Sequence, residues 1–437
     1  MTGKNFIRID DFQILNKRIL LFELSFSNDL KKYFKTNSFY VKYDEILNNI
    51  SEEFLNIPAI SSIIGLSWTV GANLHVNKMD KTYLESLGEI KDIFKKWYPQ
   101  LAFDSEIVAE EITSNKFSSN KSGMLFSGGV DSTFTYVKHR DEKPTLYVII
   151  GSGLPLDNKK YIQNMKNKLS DFADTEKVKI NFIETNVRFI LNEALLNFQF
   201  GRFFEYRQWW EGINLAVTLT GLCAPLTINK IGRFLIASSS TQATLAYYGS
   251  GPMIDSKIAW ADVKVIHDGV ETRRSGKMRY IAKNYVTKEG KYPTLRVCNY
   301  IPYAFHEINC NRCEKCIRTI TNLVLENVDP KKCGFDITDG FFDRLKEKII
   351  MDKLFENVDS FEFWRDIQRS IPDKIEHNLY DSRSFFEWLR DYELSNRKQG
   401  SLLLEAAKNN MFYFFSYLPR RAQESLMEIY YKRKISG

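Results

Sequence analysis

Apolar and polar positions alternate with period two in RILLFELSF (18–26) and SFYVKYD (38–44), which predicts two strands with one buried face each. KTYLESLGEIKDIFKKWY (81–98) repeats its apolar residues at helical spacing and reads as an amphipathic helix. From about residue 120 the two periods take turns. The apolar run in SGMLFSG predicts a strand and the residues from Ser132 a helix. TLYVIIGSG (145–153) is the next strand, KKYIQNMKNKLSDFAD (159–174) a helix and KVKINFIETN (177–186) a third strand. A helix over roughly 205–224 and the strand RFLIASSS (233–240) complete the series. Alternation of this kind argues for an α/β fold, a doubly wound parallel sheet with helices on both faces. Such sheets bind ligands at the carboxyl ends of their strands. Three of the four strands end in small polar residues (SGG, GSG and SSST), so they are expected to line one crevice.

Four regions follow: an α+β stretch over 1–115, read as packing or partner docking; the α/β region 116–297; a cysteine-rich segment 298–335; and a helical region 336–437. In the last, SLLLEAAKNNMFYFFSYL and AQESLMEIYYKRK carry apolar residues at helical spacing and read as core faces. Neither internal repeats nor low-complexity tracts appear.

Composition narrows the picture. With 437 residues and 44% hydrophobic positions the chain can bury a sizeable core. The net charge of +7 is spread over interleaved lysines, arginines and acids, which describes a solvated surface and excludes a histone-like polycation. MTGKNFIRIDDF lacks the apolar core of a signal peptide. GINLAVTLTGLCAPLTI (212–228) contains Asn214 and Pro225 and reads as a buried helix, not a membrane span. A cytoplasmic location with reduced cysteines is therefore expected.

The candidate chemistry begins at SGMLFSGGVDSTFTYVKH (122–139). Gly128 and Gly129 let the chain turn sharply and bring its amides close to a ligand. A helix starting just after them presents unpaired N–H groups and the positive end of its dipole, an anion site. Ser127 and Ser132 add hydroxyls. Asp131 would repel a phosphate unless a divalent cation lay between them.

The second motif is CNRCEKC. Cys310, Cys313 and Cys316, with Cys298 upstream, have the make-up of a tetrahedral all-cysteine zinc site. Cys333 is the other candidate for the fourth ligand. Cys298 is preferred because it ends an apparent strand, RVCNY, and His306 is a further possibility between the ligands. A redox-active pair and an iron–sulfur cluster are the weaker alternatives. Four cysteines fill the coordination shell, so the metal reads as structural. Cys223 lies in an apolar helix and reads as core.

With both motifs in hand, the chain resembles the PP-loop ATP pyrophosphatase superfamily, whose loop S-G-G-x-D-S matches SGGVDS at 127–132. The cysteine knuckle points to its 7-cyano-7-deazaguanine synthase-like (QueC-like) branch, whose members in antiphage operons are similarly enlarged, and the resemblance covers roughly 120–325. It implies that Ser127, Gly128, Gly129, Val130 and Ser132 grip the pyrophosphate of ATP, with Asp131 holding Mg²⁺ and Asp131 and Ser132 closest to the chemistry. Ile150 and Gly151, ending the second strand of the series, would face adenine and ribose. Ser238, Ser239, Ser240 and Thr241 would donate to phosphate or substrate, unless they only form an N-cap cluster for the next helix, and Asp255 would contact the substrate or a metal, unless it only caps a helix. One or two of Arg273, Arg274, Lys277 and Arg279 would face the triphosphate. The implied reaction is adenylation of a deazaguanine-like carboxylate, then displacement of AMP by ammonia or an amine, with a protein from a defence operon as a further acceptor. Two other classes compete: a nucleic-acid-modifying enzyme such as a tRNA thiolase, and a non-catalytic nucleotide-binding scaffold.

Overall fold

The computed structural model describes residues 4–153, 156–239, 247–298, 307–351, 353–354 and 358–394. The strands are β1 (Phe6–Leu15), β2 (Ile19–Phe26), β3 (Ser38–Tyr43), β4 (Asn73–Asp80), β5 (Ile107–Thr113), β6 (Ser122–Leu125), β7 (Thr145–Ile150), β8 (Ile180–Thr185), β9 (Arg233–Ala237), β10 (Ala259–Trp260) and β11 (Val263–Asp268). Among the described residues they form one sheet of 11 strands, ordered β10-β11-β9-β6-β7-β8-β3-β2-β1-β4-β5. The pairings along β11, β9, β6, β7 and β8 are all parallel.

The principal helices are α1 (Ile57–Val70), α2 (Lys81–Trp97), α3 (Val130–His139), α4 (Lys159–Glu176), α5 (Leu215–Gly221), α6 (Arg274–Ile281), α7 (Glu314–Leu325), α8 (Phe341–Ile350), α9 (Val358–Ser370) and α10 (Arg383–Asp391). Side chains alternate across a strand, so each central strand feeds two cores. Leu146, Val148 and Ile150 of β7 join Phe134 and Val137 of α3 and Leu169 and Phe172 of α4. Tyr147, between them, joins the opposite core with Ile60 and Ile64 of α1 and Val217 of α5. β9 divides in the same way, Leu235 to one side and Phe234 and Ile236 to the other. Apolar residues on both faces explain why these strands are short continuous apolar runs.

The chain runs outward from β6 through β7 to β8, then returns to place β9 on the other side of β6. The order reverses between β6 and β9, and ligands of open α/β sheets bind at the carboxyl ends beside such a reversal. The turn after β6 is therefore set where the topology opens a crevice.

The N-terminal strands extend the same sheet: β3 pairs antiparallel with β8, Val41 opposite Thr185 and Tyr43 opposite Ile183. At the other end of the chain, Phe342 and Leu345 of α8, Trp364 and Ile367 of α9, and Phe386 and Leu389 of α10 pack into the core shared with α3 and α4.

Two sequence expectations need correction. Residues 291–298 form no strand. Neighbouring backbone groups go elsewhere: Arg296 N donates to Gly128 O (2.7 Å) and Val297 N to Asn309 Oδ1 (3.0 Å), so neither is left for a strand ladder. The single helix expected over 205–224 opens with a π-helical turn, Trp210–Asn214, before α5. The candidates Ser240, Thr241 and His306, and the apolar segments after 400, lie outside the described residues.

Candidate functional site

The turn after β6 is held from both sides. Phe126 N donates to Tyr147 O (2.9 Å), which keeps the chain in the sheet up to the turn. Gly128 then takes φ = +72°, a region that L side chains rarely adopt. Arg296 clamps the outer side: its N–H donates to Gly128 O and its Nε to Ser127 O (2.8 Å). With the carbonyls committed outward, Gly129 becomes the cap of α3 and Thr133 N makes the first helical bond to Gly129 O (2.9 Å). The N–H groups of the first turn have no intrahelical acceptor. Ser127 Oγ accepts from Gly129 N (3.3 Å) and lies 3.2 Å from Ser132 Oγ, which itself donates to Gly129 O at 3.2 Å. Ser127, Gly128, Gly129 and Ser132 thus share one short turn. Val130 follows with its side chain in the core.

Asp131, in the first turn of α3, stands among cations. Arg274 Nη2 contacts Oδ2 at 2.5 Å and Lys277 Nζ contacts Oδ1 at 3.1 Å. Burial alone would raise this carboxyl, but Arg274, Lys277 and the nearby Arg318 outweigh it and hold Asp131 below the usual carboxylate range. Lys277, 2% exposed, also donates to Ser238 O, and so ties the end of β9 to the turn after β6 across the reversal. α6 carries both cations one turn apart (Arg274 and Lys277), the spacing that puts them on one helix face. Of the four basic residues proposed for this segment, these two reach Asp131. Arg273 is exposed, and Arg279 pairs with Glu326 (3.0 Å) away from the turn.

The same cluster receives residues from α7. Arg318, buried to 2% exposure, contacts Glu314 Oε1 at 3.4 Å, and Trp364 Nε1 donates to the same carboxylate at 3.0 Å. Burial draws Arg318 down to about 10 despite Glu314, and Arg274 pushes the same way. Phe363 of α9 lies against both guanidinium groups, 4.5 Å from Arg274 Cζ and 4.0 Å from Arg318 Cζ to the ring centroid.

The cysteines explain how α7 is placed. The Sγ atoms of Cys298, Cys310, Cys313 and Cys316 all lie within 4.8 Å of one another. Two of the separations are 3.8 Å (Cys298–Cys313) and 3.9 Å (Cys310–Cys316). A tetrahedron with Zn–S bonds of about 2.3 Å has edges of about 3.8 Å, so the donor set fits a metal ion such as zinc. Cys313 N donates to Cys310 Sγ (3.2 Å), as expected of a thiolate-rich turn. Cys333 stays outside the group; buried in the core, its thiol is pushed up to about 12. Cys313 caps α7 and Cys316 lies in its first turn, so a metal here would fix the helix that carries Arg318.

The remaining candidates separate. Ile150 is buried in the core, and Gly151 follows it at φ = +102°. A Cβ there would fall 1.7 Å from Thr185 O, so the backbone after β7 can approach β8 only as glycine. Ser238 is buried at the end of β9, its N–H donating to Asp268 O (2.8 Å), and Ser239 is exposed. Asp255 is not brought to Asp131. It accepts from Ser250 Oγ (3.0 Å), Gly251 N (3.1 Å) and His267 Nδ1 (2.7 Å), and burial outweighs these bonds to raise its carboxyl above the usual range. His267 pairs in register with Ile236, whose side chain belongs to the core opposite α3.

Sequence reasoning missed Arg296, Glu314, Arg318 and Phe363. Arg318 follows Cys316 by two positions and was open to notice. Phe363 had no signal, because its place depends on how α9 docks. Comparison of the chain with models of protein families, with curated proteins and with solved structures finds no match. Fold and site define an α/β protein with a large, mostly parallel sheet and a four-cysteine group able to hold a metal ion. No helix among the described residues is long and apolar enough to cross a membrane.

Proposed function

We propose that the chain is an ATP-dependent carbon–nitrogen ligase of the PP-loop type: it adenylates a carboxylate and passes the acyl group to ammonia or an amine. The observation that carries this reading is the SGGVDS turn itself, with Gly128 at positive φ, three hydroxyl or amide donors gathered beside it, and its position at the strand-order reversal. The first-turn N–H groups of α3 with Ser127 and Ser132 would bind the leaving pyrophosphate. Arg274 and Lys277 would offset the charge that grows on it. Mg²⁺, when bound, would supply charge neutralisation on the phosphates. Asp131 is its candidate holder, and one carboxylate with substrate phosphates suffices for that ion. The substrate carboxylate attacks the α-phosphorus, the bond to the bridging oxygen breaks, and pyrophosphate departs. The amine then attacks the acyl carbon, AMP leaves, and the amine's proton passes to water. The zinc of the knuckle would be structural. A deazaguanine-type acid is the proposed substrate and a protein amine a further acceptor, both from the resemblance of the loop and knuckle.

The test is incubation with ATP, Mg²⁺ and 7-carboxy-7-deazaguanine, with nucleotide products separated and weighed. AMP and pyrophosphate formed only with the acid are expected. ADP and phosphate as the sole products would overturn the reading.

A further inference from the structure

Among the described residues, two buried hydrogen-bond donors beside Asp131 have no acceptor. They are Arg274 Nε and Arg318 Nη1. Each guanidinium is otherwise engaged, Arg274 through Nη2 with Asp131 and Arg318 through Nε with Glu314. Both lie against the one Phe363 ring. A ring face attracts the cation but takes no in-plane hydrogen. The acids nearby are committed: Asp131 holds Arg274 and Lys277, Glu314 also takes Trp364 Nε1, and Asp366 accepts from Ser275 N (2.9 Å). A buried charged donor left unmet is costly, and two of them converging on one aromatic ring call for a shared partner such as a bound ion. Guanidinium donors match oxyanions, which accept two parallel N–H groups.

We infer that α6, α7 and α9 together bind an oxyanion through Arg274 and Arg318, as a site additional to the donors of the glycine turn. Its residues come from three separate helices, and α9 supplies Phe363, whose ring lies against both cations. Two sources share this chemistry: a phosphate-type anion such as released pyrophosphate, and the carboxylate of a second reactant. The site does not depend on the adenylation reading, since an inorganic anion alone probes it.

The experiment is titration calorimetry on the zinc-loaded full chain at low salt, with inorganic pyrophosphate in one series and benzoate in the other. The wild type is expected to bind at least one. Arg318→Met should weaken that binding roughly ten- to a hundredfold, and Arg318→Lys should restore part of it by returning charge without the fork. Weakening for pyrophosphate alone assigns the phosphate source; weakening for benzoate alone assigns the carboxylate source. Circular dichroism and the thermal midpoint establish that each variant is folded. Unchanged affinity for both anions in folded Arg318→Met and Arg274→Met proteins overturns the site, as does an equal loss in the exposed control Arg273→Met. Failure of the ligase reading shows separately, as absence of AMP with anion binding intact.

Discussion

An aspartate stands at each end of α3, half-buried Asp131 within its first turn and buried Asp268 of β11 against its last, and the two are finished differently. At the C-terminal end, Asp268 of β11 accepts from Thr135 Oγ1 (2.9 Å), Lys138 Nζ (2.8 Å) and His139 Nε2 (3.1 Å). Burial alone would raise Asp268; these bonds outweigh it and take the carboxyl down to about 2. Cations at a helix C-terminus also suit its dipole, so the cluster is internally complete. At the N-terminal end Asp131 also holds two cations, yet donors on Arg274 and Arg318 beside it lack acceptors among the described residues. A closed network serves the fold. An open one, placed at the positive end of a helix and at the strand reversal, is suited to a ligand. The contrast between the two ends thus lies in unmet donors and not in charge.

The largest expected effect breaks the two ends apart by activity. Asp131→Asn keeps the size of the side chain and removes its charge; the proposed ATP cleavage to AMP should fall about a hundredfold or more, the scale for losing one preorganised electrostatic group. Asp268→Asn should leave turnover within about twofold, after correction for folded fraction. Steady-state assays on both variants decide this, and equal losses would remove the distinction.

Removing the metal comes next. Cys316→Ser should abolish tight zinc binding, measured by elemental analysis, and should cost several kcal/mol of stability because metal binding is coupled to folding. Amide exchange should rise in α7 and at Arg274 while the Asp268 end of α3 keeps its protection. Uniform loss of protection along α3 would mean that the knuckle supports the whole domain equally.

Asp268→Asn itself should cost about 2–3 kcal/mol at neutral pH, from a carboxyl lowered from about 3.9 to about 2. Because the folded value lies below the unfolded one, this contribution is present above about pH 4 and is lost as the pH falls towards 2. Urea unfolding of the variant at pH 7 and at acid pH checks both size and sign.

How much of this was legible follows from range. The loop was readable because it is local: apolar run, two glycines, helix. The preference for Cys298 over Cys333 held at the level of the four-cysteine group, although the strand invoked for it is absent; Arg296 and Asn309 occupy the backbone there. α1 gave no amphipathic signal because 13 of its 14 residues are buried, leaving only Val70 outside that set. The cation cluster depends on α6, α7 and α9 meeting at Phe363, contacts that no local pattern encodes. Asp255 failed to join Asp131 for the same kind of reason: strand alternation sends its partner His267 to the other face of the sheet.

The smallest effect concerns His139 and tests whether the closed end is as self-sufficient as its bonds suggest. A hydrogen bond to Asp268 raises its pKa most; burial opposes this, and Glu142 Oε1 at 3.0 Å adds to the rise. A folded value above the unfolded value of about 6.5 means the protonated ring stabilises the fold. That contribution is complete below about pH 6.5 and disappears as the pH climbs through the raised folded value. His139→Gln keeps a side-chain donor but cannot titrate. The stability gap between wild type and variant, read from urea midpoints, should therefore be largest near pH 6 and shrink by up to about 1 kcal/mol as the pH rises to 9. The same substitution should leave pyrophosphate affinity unchanged at every pH, because His139 touches only the closed network. A gap that widens with pH would reverse the sign and show that the neutral ring is the form bound to Asp268.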